Sequence, residues 1–308
     1  RFWNFSEIFS KMLKKGKYLK LKLLLATPSI FLASKKEQKI VAQIIAKEQI
    51  SGIISDNRLG VFSNDIPSVY ITHQLNVLSG ATTFITSKIH QKFIQKFNEC
   101  WVPDVESDQN LSGKLGYLNS SRLNIKYTGV LSRFKKQETS LKYDLMVLLS
   151  GPEPQRTLLE NKLLLELKNY QGSVLFVRGV LSEKEEISAP KNFKIVNYLL
   201  SKDLEIAINE SAVIIARSGY STIMDLAVLG KKAFFIPTPG QFEQEYLAER
   251  FQEMGIAPFA KQQNFKLENL YEITKYSGFN STKTEIDLSL FKLFQSKWEF
   301  WAYSKFTF

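Results

Sequence analysis

Apolar residues in the second half of the chain form short, almost uninterrupted runs that alternate with segments of helical periodicity. The runs are DLMVLLSG (144–151), SVLFVRG (173–179), FKIVNYL (193–199), SAVIIARSG (211–219) and KKAFFIP (231–237). Helical spacing separates them in QRTLLENKLLLELKN, SKDLEIAINE and QEYLAERFQEMG. Strands that are apolar on both faces and alternate with helices are typical of a parallel sheet covered on both sides. This half predicts a doubly wound α/β domain over 144–280.

The first half carries a shorter series of the same kind. Helical spacing over 35–50 precedes strands predicted at 52–55 and 67–72, and another helix is predicted at 83–98 before the run ECWVPD. A long polar loop and the segment IKYTGVLSRF follow, and the charged stretch 135–143 has no apolar periodicity. We therefore predict two Rossmann-like domains, the first over 1–134, with a domain junction at 135–143 and a C-terminal helical segment at 281–308.

Composition supports a globular protein of a reducing compartment. Of 308 residues, 44% are hydrophobic and 23% charged, and the single cysteine excludes an internal disulfide framework. The longest apolar run, at 23–34, is too short to span a bilayer and contains Pro28. We expect no transmembrane helix and a cytoplasmic location.

The basic charge is uneven along the chain. Of the net charge of +11, much comes from lysines at 11–22 and 35–39, which are interleaved with aromatic residues near the N-terminus. Such a pattern is compatible with a solvated helix face, an anionic membrane surface or nucleic acid. Because no nucleic-acid-binding motif accompanies it, we expect helices over 1–35 whose aromatic and basic face is available to a membrane, and no nucleic-acid partner.

Three loops at the carboxyl ends of predicted strands carry the chemistry of the second half. They contain Ser150-Gly151, Arg217-Ser218-Gly219 and the stretch Pro237-Thr238-Pro239-Gly240-Gln241, which precedes Gln244 and Glu245. In a parallel sheet these loops share one edge, which is where ligands bind. Small residues, amide donors, an arginine, carboxamides and a carboxylate are thus predicted to converge.

The sequence IIARSGYST at 214–222 has the composition of a phosphate-binding turn. Gly219 has no Cβ to keep an anion from the backbone, and Ser218, Ser221 and Thr222 add hydroxyl donors beside the unpaired amides of a helix N-terminus. An ordinary N-cap and turn is the alternative interpretation of the same residues.

The stretch RSGYSTIMDLAVLGKKAFFIPTPGQFEQEYLA resembles the donor-binding domain of GT-B glycosyltransferases of the family 28 C-terminal type. This family is related to the bacterial transferase that adds N-acetylglucosamine to the lipid-linked peptidoglycan precursor. The resemblance covers about 144–260 and is most specific over 214–248. It implies the GT-B fold of two Rossmann-like domains, with an acceptor-side domain that looks N-terminally incomplete here because the chain begins at Arg1 without a Gly-rich loop.

The resemblance implies a role for individual residues. Asp225 would accept hydrogen bonds from the ribose hydroxyls, and Gln244 with Glu245 would contact the sugar, beside Gln241. Gly151 would let a loop close over the diphosphate, and the backbone at Leu200 and Ser201 would meet the uracil edge. Structural alternatives exist for these residues: Asp225 as a complement to the helix dipole, and Gln244 and Glu245 as solvated residues at a helix start. Arg217 serves either the diphosphate or an acidic partner.

A catalytic base is the least determined part of the predicted site. Glycosyl transfer needs a group that takes the acceptor hydroxyl proton while the leaving diphosphate is neutralised. The relatives use a histidine on an N-terminal Gly-rich loop that this sequence lacks. His73 and Asp56, the latter with Arg58, are the candidates at strand ends of the first domain, whereas His90 is expected to be structural, and His73 has a structural alternative as a hydrogen-bonded residue.

The implied reaction is direct displacement with inversion on a UDP-hexose or UDP-N-acetylhexosamine. No metal-ligand spacing and no DxD motif occur in the sequence, so we expect neither a metal nor another cofactor. A non-catalytic nucleotide-sugar-binding protein or a truncated remnant is the alternative. A basic nucleic-acid binder would rest on charge alone.

Overall fold

A computed structural model describes residues 19–119, 122–181, 189–282 and 287–295, with side chains of the first helix described from residue 32. Residues 1–18, which carry much of the aromatic and basic pattern, lie outside the described part. The described residues form two compact units, one up to Gly129 together with 287–295, and one that starts at Val130. Within this part of the chain, no helix is both long and apolar enough to cross a membrane.

Four parallel strands form the sheet of the N-terminal unit. In spatial order they are β1 (Ile53–Asp56), β2 (Ser68–Ile71), β3 (Glu99–Val102) and β4 (Ile125–Tyr127). The helices are α1 (Leu19–Glu48) and α2 (Thr83–Ile94). The predicted strands and the helix at 83–98 are confirmed, with shifted ends. Helix α1 joins the described part of the helices expected over 1–35 to the helix predicted at 35–50, and it runs through Pro28 without a break.

An aromatic and aliphatic cluster fills the space between this sheet and α2. Its buried members are Leu59, Phe62, Tyr70, Leu75, Phe93, Ile94, Phe97, Cys100 and Val102. Burial raises the pKa of the Cys100 thiol to about 12, so at neutral pH the residue is an apolar core group rather than a nucleophile.

Five parallel strands form the sheet of the C-terminal unit, in the order β7-β6-β5-β8-β9. They are β5 (Tyr143–Leu148), β6 (Val174–Val177), β7 (Phe193–Val196), β8 (Ser211–Ala216) and β9 (Lys232–Phe235). The helices are α3 (Gln155–Glu166), α4 (Ser201–Asn209), α5 (Tyr220–Leu229) and α6 (Phe242–Glu253). This arrangement confirms the predicted α/β class and the parallel sheet.

The central strands of this sheet are almost completely buried. Val147, Val174, Phe176 and Ile215 each have 0% exposure, and they belong to one cluster with Leu163 of α3. Burying a side chain of this size contributes about 1.5–3 kcal/mol to folding. The apolar runs that identified these strands in the sequence are therefore the core of the unit.

The segment 130–134, which the sequence assigned to the first domain, packs with the C-terminal unit. The reason is that Val130 and Phe134 are 4% and 1% exposed, and Ser132 is hydrogen-bonded to Asp225 of α5. We call residues 130–134 the connecting segment.

The described part of the C-terminal segment returns to the N-terminal unit. A 3₁₀ turn at Leu288–Phe291 continues into α7 (Lys292–Gln295). Leu290 is buried against Val69 and Trp101, and the rings of Trp101 and Phe291 meet edge to face with centroids 5.3 Å apart. These contacts cover one face of the four-stranded sheet.

Candidate functional site

The strand order of the C-terminal unit has a switch point between its strands β5 and β8. From β5 the chain adds β6 and β7 on one side, and it later adds β8 and β9 on the other side of β5. At such a switch point, the loops after the two central strands leave in opposite directions and open a ligand-binding crevice. Leu148 pairs with Ala216 at the ends of these strands. The topology thus places the loop that contains Gly151 beside the turn 217–219.

Gly219 caps α5 at a position where the backbone does not require glycine. Its φ of −75° and ψ of 140° are accessible to any residue. An ideal Cβ built on Gly219 has no heavy atom within 4 Å, so packing does not exclude a side chain either. The glycine therefore leaves open space in front of the helix N-terminus.

The first turn of α5 presents unpaired amides next to that space. The helix begins at Tyr220, as predicted, and its first backbone hydrogen bond runs from the Ile223 amide to the Gly219 carbonyl at 3.0 Å. Among the described residues, none accepts a hydrogen bond from the amides of Ser221 or Thr222. Together with the helix dipole, these amides favour an anion at this position.

Arg217 forms no ion pair with an acidic residue in the described part of the chain, which was one of the two roles predicted for it; the diphosphate role stays a prediction. Its guanidinium is buried and donates to backbone carbonyls and one side chain: Ile236 and Pro237 at 3.0 and 3.1 Å from Nη1, and Gln155 and Gln262 at 2.9 and 2.8 Å from Nη2. Burial lowers its pKa to about 10, so the group stays charged at neutral pH. Arg217 thus cross-links the loop after β9 to the start of α3 and stabilises the carboxyl edge of the sheet.

The loop between β9 and α6 is held against the turn 217–219. The Ser218 hydroxyl donates to the Gln244 carbonyl at 2.7 Å, and the Gln244 Oε1 accepts from the Thr238 amide at 2.8 Å. Glu245 Oε1 accepts from the Gly240 amide at 3.0 Å. Gln241 is the N-cap residue of α6. The structure therefore brings Ser218, Gln241, Gln244 and Glu245 together.

Asp225 lies on the accessible side of α5. Ser221 and Thr222 precede it by four and three residues, a spacing that places all three on one side of a helix, and none of them is buried. The opposite side, with Ile223 and Leu226, is buried. Asp225 therefore shares its helix face with the hydroxyl groups of Ser221 and Thr222.

The carboxylate of Asp225 has a partner that sequence reasoning missed. The Ser132 hydroxyl of the connecting segment donates to Asp225 Oδ1 at 2.6 Å. Partial burial raises the pKa of Asp225 above its ordinary value, while the Ser132 hydrogen bond and the charge of Arg133 act in the opposite direction. No pattern within residues 130–134 signals this contact, because the two residues are 93 positions apart.

Gly151 lines a separate cavity of about 710 Å³ next to α3 and the end of β6. Its φ of +105° does require glycine. Charged side chains form one wall: Glu160 accepts from Arg156 Nη1 at 2.7 Å and from Arg178 Nε, and Arg178 Nη1 donates to Asn197 at 3.1 Å. These ions are paired with each other. Gly219, Asp225 and Gln244 are not among the residues that line this cavity.

Leu200 and Ser201 lie at the carboxyl end of β7, the edge strand of the sheet. Leu200 is the N-cap residue of α4, with its side chain 67% exposed, and Ser201 begins the helix. Both residues therefore lie at the same edge of the sheet as the other predicted donor-binding residues, two strands away from β5.

The candidate bases belong to the N-terminal unit. Asp56 is the exposed last residue of β1 and is paired in register with Ile71, two positions before His73. His73 is half-buried, and its Nε2 lies 3.4 Å from Nε2 of the Gln74 side chain. Arg58 donates to Glu37 of α1 at 2.7 Å and anchors that helix. His90 is 2% exposed and burial lowers its pKa to about 4, in keeping with the structural role expected for it.

A buried carboxylate, which no sequence pattern indicates, organises the long polar loop after β3. Asp104 is fully buried and accepts from the amides of Val105, Leu111 and Ser112 at 2.9, 3.0 and 2.7 Å and from the Ser112 hydroxyl at 2.5 Å. Its acceptor capacity is used within the loop. Asp104 is thus a structural residue at the same sheet edge as Asp56 and His73.

Comparison with known sequences identifies the C-terminal part. Residues 155–287 match the profile of the glycosyltransferase family 28 C-terminal domain. The UDP-N-acetylglucosamine–N-acetylmuramyl-(pentapeptide) pyrophosphoryl-undecaprenol N-acetylglucosamine transferase of Haemophilus ducreyi is 26% identical over 66% of this chain and 56% of its own length. Its counterpart from Glaesserella parasuis is 27% identical over 65% and 54%. The chain spans a little more than half of the length of these relatives.

Solved structures support the fold independently of sequence. The kitacinnamycin glycotransferase superposes with a TM-score of 0.60 at 9% identity, over 89% of this chain and 77% of its own. The spinosyn rhamnosyltransferase gives 0.57 at 10% identity, over 89% and 74%. At such low identity the likeness concerns the fold alone. The chain thus has the GT-B fold, and its C-terminal unit is a glycosyltransferase family 28 C-terminal domain.

Proposed function

We propose that this chain transfers a hexose or N-acetylhexosamine from a UDP-sugar to a hydroxyl acceptor. The supporting family evidence is the domain at 155–287 and the UDP-N-acetylglucosamine in the names of the relatives. The structural observation that carries the proposal is the open space at Gly219. Neither backbone conformation nor packing accounts for a glycine there, whereas a diphosphate that approaches the amides of α5 does.

The donor would be held mainly by groups at one edge of the C-terminal sheet. The amides and hydroxyls of Ser221 and Thr222 would bind the diphosphate, and Asp225 would accept from the ribose hydroxyls. Gln244 uses its Oε1 within the loop, which leaves its Nε2 as a donor to a sugar hydroxyl, and Glu245 likewise retains one carboxylate oxygen. The backbone at Leu200 and Ser201 would meet the uracil edge.

The reaction would be a direct displacement at the anomeric carbon with inversion. The acceptor oxygen attacks while the bond to the diphosphate breaks, and a base removes the hydroxyl proton. His73 or Asp56 would be that base. The charge that develops on the leaving diphosphate would be stabilised by the N-terminus of α5, which acts here in place of a cation. We therefore propose a metal-independent reaction without another cofactor.

A surface of the N-terminal unit supports peripheral contact with an anionic membrane on the cytoplasmic side. At the start of α2, Phe84 and Ile85 are 74% and 52% exposed. Lys88 and Lys92 continue the same side of the helix at intervals of four residues, and both are exposed. Apolar side chains next to lysines bind the headgroup region of anionic bilayers, with about 1 kcal/mol for each lysine near the surface.

Calorimetric titration of the full chain with UDP, UDP-N-acetylglucosamine, UDP-glucose and a GDP-sugar tests the donor proposal. We expect saturable binding of at least one UDP compound, at the same affinity with and without EDTA, and weaker binding of the GDP-sugar. Absence of binding to every UDP compound contradicts the proposal. The non-catalytic alternative would be favoured if the wild-type protein bound a UDP-sugar but neither transferred nor slowly hydrolysed it, and if His73→Ala and Asp56→Asn behaved in the same way.

Co-sedimentation with vesicles tests the membrane surface. The Phe84→Ala/Ile85→Ala variant should lose binding to vesicles that contain anionic lipid, whereas the Leu158→Ala/Leu165→Ala variant, which removes exposed leucines from α3, should bind like wild type. Equal recovery of the wild-type protein in the supernatant with neutral and anionic vesicles at low salt contradicts this proposal.

A further inference from the structure

The connecting segment places one hydroxyl group against the carboxylate of Asp225. The Ser132 Oγ lies 2.6 Å from Asp225 Oδ1, a short distance that is typical of a hydroxyl that donates to an ionised carboxylate. Oδ2 of Asp225 forms no hydrogen bond with a described residue. One oxygen is thus fixed by the protein and the other is available to a ligand.

The direction of the Ser132 hydroxyl is determined by a second hydrogen bond. The Phe134 amide donates to the Ser132 Oγ at 3.0 Å, so this amide occupies a lone pair of the oxygen. The hydroxyl proton is then directed to Asp225. A serine that only satisfied its own segment would not need the carboxylate as an acceptor.

The connecting segment is anchored on both sides of Ser132. Val130 and Phe134 are buried, and beyond them the Lys135 carbonyl and the Gln137 amide are bonded to the buried side chain of Asn209 at 3.1 and 3.0 Å. Ser132 therefore presents its hydroxyl from a fixed backbone. An aspartate has two rotatable side-chain bonds, and a partner in a fixed position restricts both.

From this geometry we propose that Ser132 is a positioning residue that orients Asp225 for the ribose hydroxyls of the nucleotide, an inference that rests on the proposed donor site. Ser132 itself does not contact the ligand. Its removal leaves Asp225 in place but allows the carboxylate to rotate, so the ligand must restrict it at the cost of binding free energy.

Calorimetry with UDP and with 2′,3′-dideoxyuridine diphosphate tests this role. Ser132→Ala should weaken UDP binding by about three- to tenfold, the effect of having to restrict one side chain on binding. Binding of the dideoxy compound, which lacks both ribose hydroxyls, should not change. Ser132→Thr keeps the hydroxyl and should restore the affinity for UDP, and in an Asp225→Ala background Ser132→Ala should have no further effect.

Ser173→Ala is the matched control, because the Ser173 hydroxyl donates to the Asp144 carboxylate at 2.8 Å at the opposite end of the same sheet. It should leave the affinity for UDP unchanged. Equal weakening of UDP and the dideoxy compound by Ser132→Ala means a general structural effect and overturns the positioning role. The positioning role is also overturned if Ser132→Ala binds UDP as tightly as wild type while Asp225→Ala binds it weakly; this result would leave the proposed donor site intact. A wild-type protein that does not bind UDP overturns both proposals.

Discussion

The two sheets of this protein expose different kinds of chemical groups at their carboxyl ends. In the C-terminal unit, Nη1 and Nη2 of Arg217 donate four hydrogen bonds within the protein, and the available groups include the backbone amides of Ser221 and Thr222 next to the open space at Gly219. In the N-terminal unit, the buried carboxylate of Asp104 accepts hydrogen bonds from its own loop, and the titratable side chains at the strand ends include Asp56 and the half-buried His73.

This difference fits the two halves of a transfer reaction. A diphosphate needs several donors in a fixed array, which a helix N-terminus provides without side-chain entropy. Proton removal instead needs one titratable side chain within reach of the acceptor. In both units the most deeply buried charged residue of the edge, Arg217 or Asp104, holds a loop in place. The buried charges are therefore structural, and the reactive groups are among the more exposed residues.

The largest effect is expected for Arg217→Met, which removes the cross-link of the C-terminal edge. The carbonyls of Ile236, Pro237 and Gln155 lose their donor in a buried place, and each unsatisfied carbonyl costs about 1–3 kcal/mol. We expect the free energy of unfolding, measured by urea denaturation, to fall by about 3 kcal/mol or more. Arg133→Met, an exposed arginine of the same unit, is the control. Loss of UDP binding with unchanged stability would instead mean that Arg217 contacts the diphosphate.

The corresponding change in the N-terminal unit is Asp104→Asn. The amide of the new side chain cannot accept from the four donors of the loop, so we expect a loss of about 2–3 kcal/mol in the free energy of unfolding. UDP binding to the C-terminal unit should be unaffected. Glu106→Gln, an exposed acid of the same loop, should leave the stability unchanged. Equal stability of Asp104→Asn and wild type would contradict a scaffold role.

Asp225→Ala should affect binding and not folding. The loss of a charge-assisted hydrogen bond to ribose costs about 1.5–3 kcal/mol, which corresponds to a roughly tenfold or greater loss of UDP affinity. Thermal melting should remain within a few degrees of wild type. An unchanged dissociation constant in a folded variant would remove Asp225 from the site and leave its charge as a complement to the helix.

A smaller effect is expected from pH, because burial raises the pKa of Asp225. The carboxylate is the form that accepts from ribose, so UDP affinity should rise as the pH increases through this raised pKa and decline as the pH falls. Calorimetry at several pH values, compared with Asp225→Asn, separates this titration from that of the ligand phosphates. Ionisation of a buried acid also costs folding free energy above its folded-state pKa, and this cost disappears below the unfolded pKa. Asp225→Asn should therefore not lower the free energy of unfolding at neutral pH. Parallel profiles of UDP affinity against pH for wild type and Asp225→Asn would contradict the role of Asp225.

The fold could be predicted from the sequence because its signals are local. Apolar runs such as SAVIIA and the glycine-containing turns after them identify buried parallel strands and the start of α5. That α1 is one continuous helix could not be predicted in the same way, because Pro28 lies between the segment expected to be helical over 1–35 and the helix predicted at 35–50. The grouping of the connecting segment depends on the burial of Val130 and Phe134, which their sequence neighbours do not indicate.

Only the part of the site formed by residues close together in the sequence could be predicted. Gly219, Ser221, Thr222 and Asp225 belong to one turn and one helix, so their relation follows from helical geometry. The partners of Arg217 and Asp225 come from distant segments, at separations of 19 to 93 residues. For this reason the sequence identified Arg217 but not the four groups to which its guanidinium donates, and it did not identify Ser132.

Gly219→Val tests the central claim, that the turn at 217–219 and the N-terminus of α5 hold a nucleotide diphosphate. The backbone angles of Gly219 suit valine, and the new Cβ meets no atom within 4 Å, so the fold should persist with at most a small loss from the poorer N-cap. The side chain would, however, occupy the space in front of the amides. We predict that calorimetry detects UDP binding by wild type and none by Gly219→Val, in a preparation whose cooperative thermal melting shows that it is folded. Equal UDP affinity of the two proteins would contradict the account.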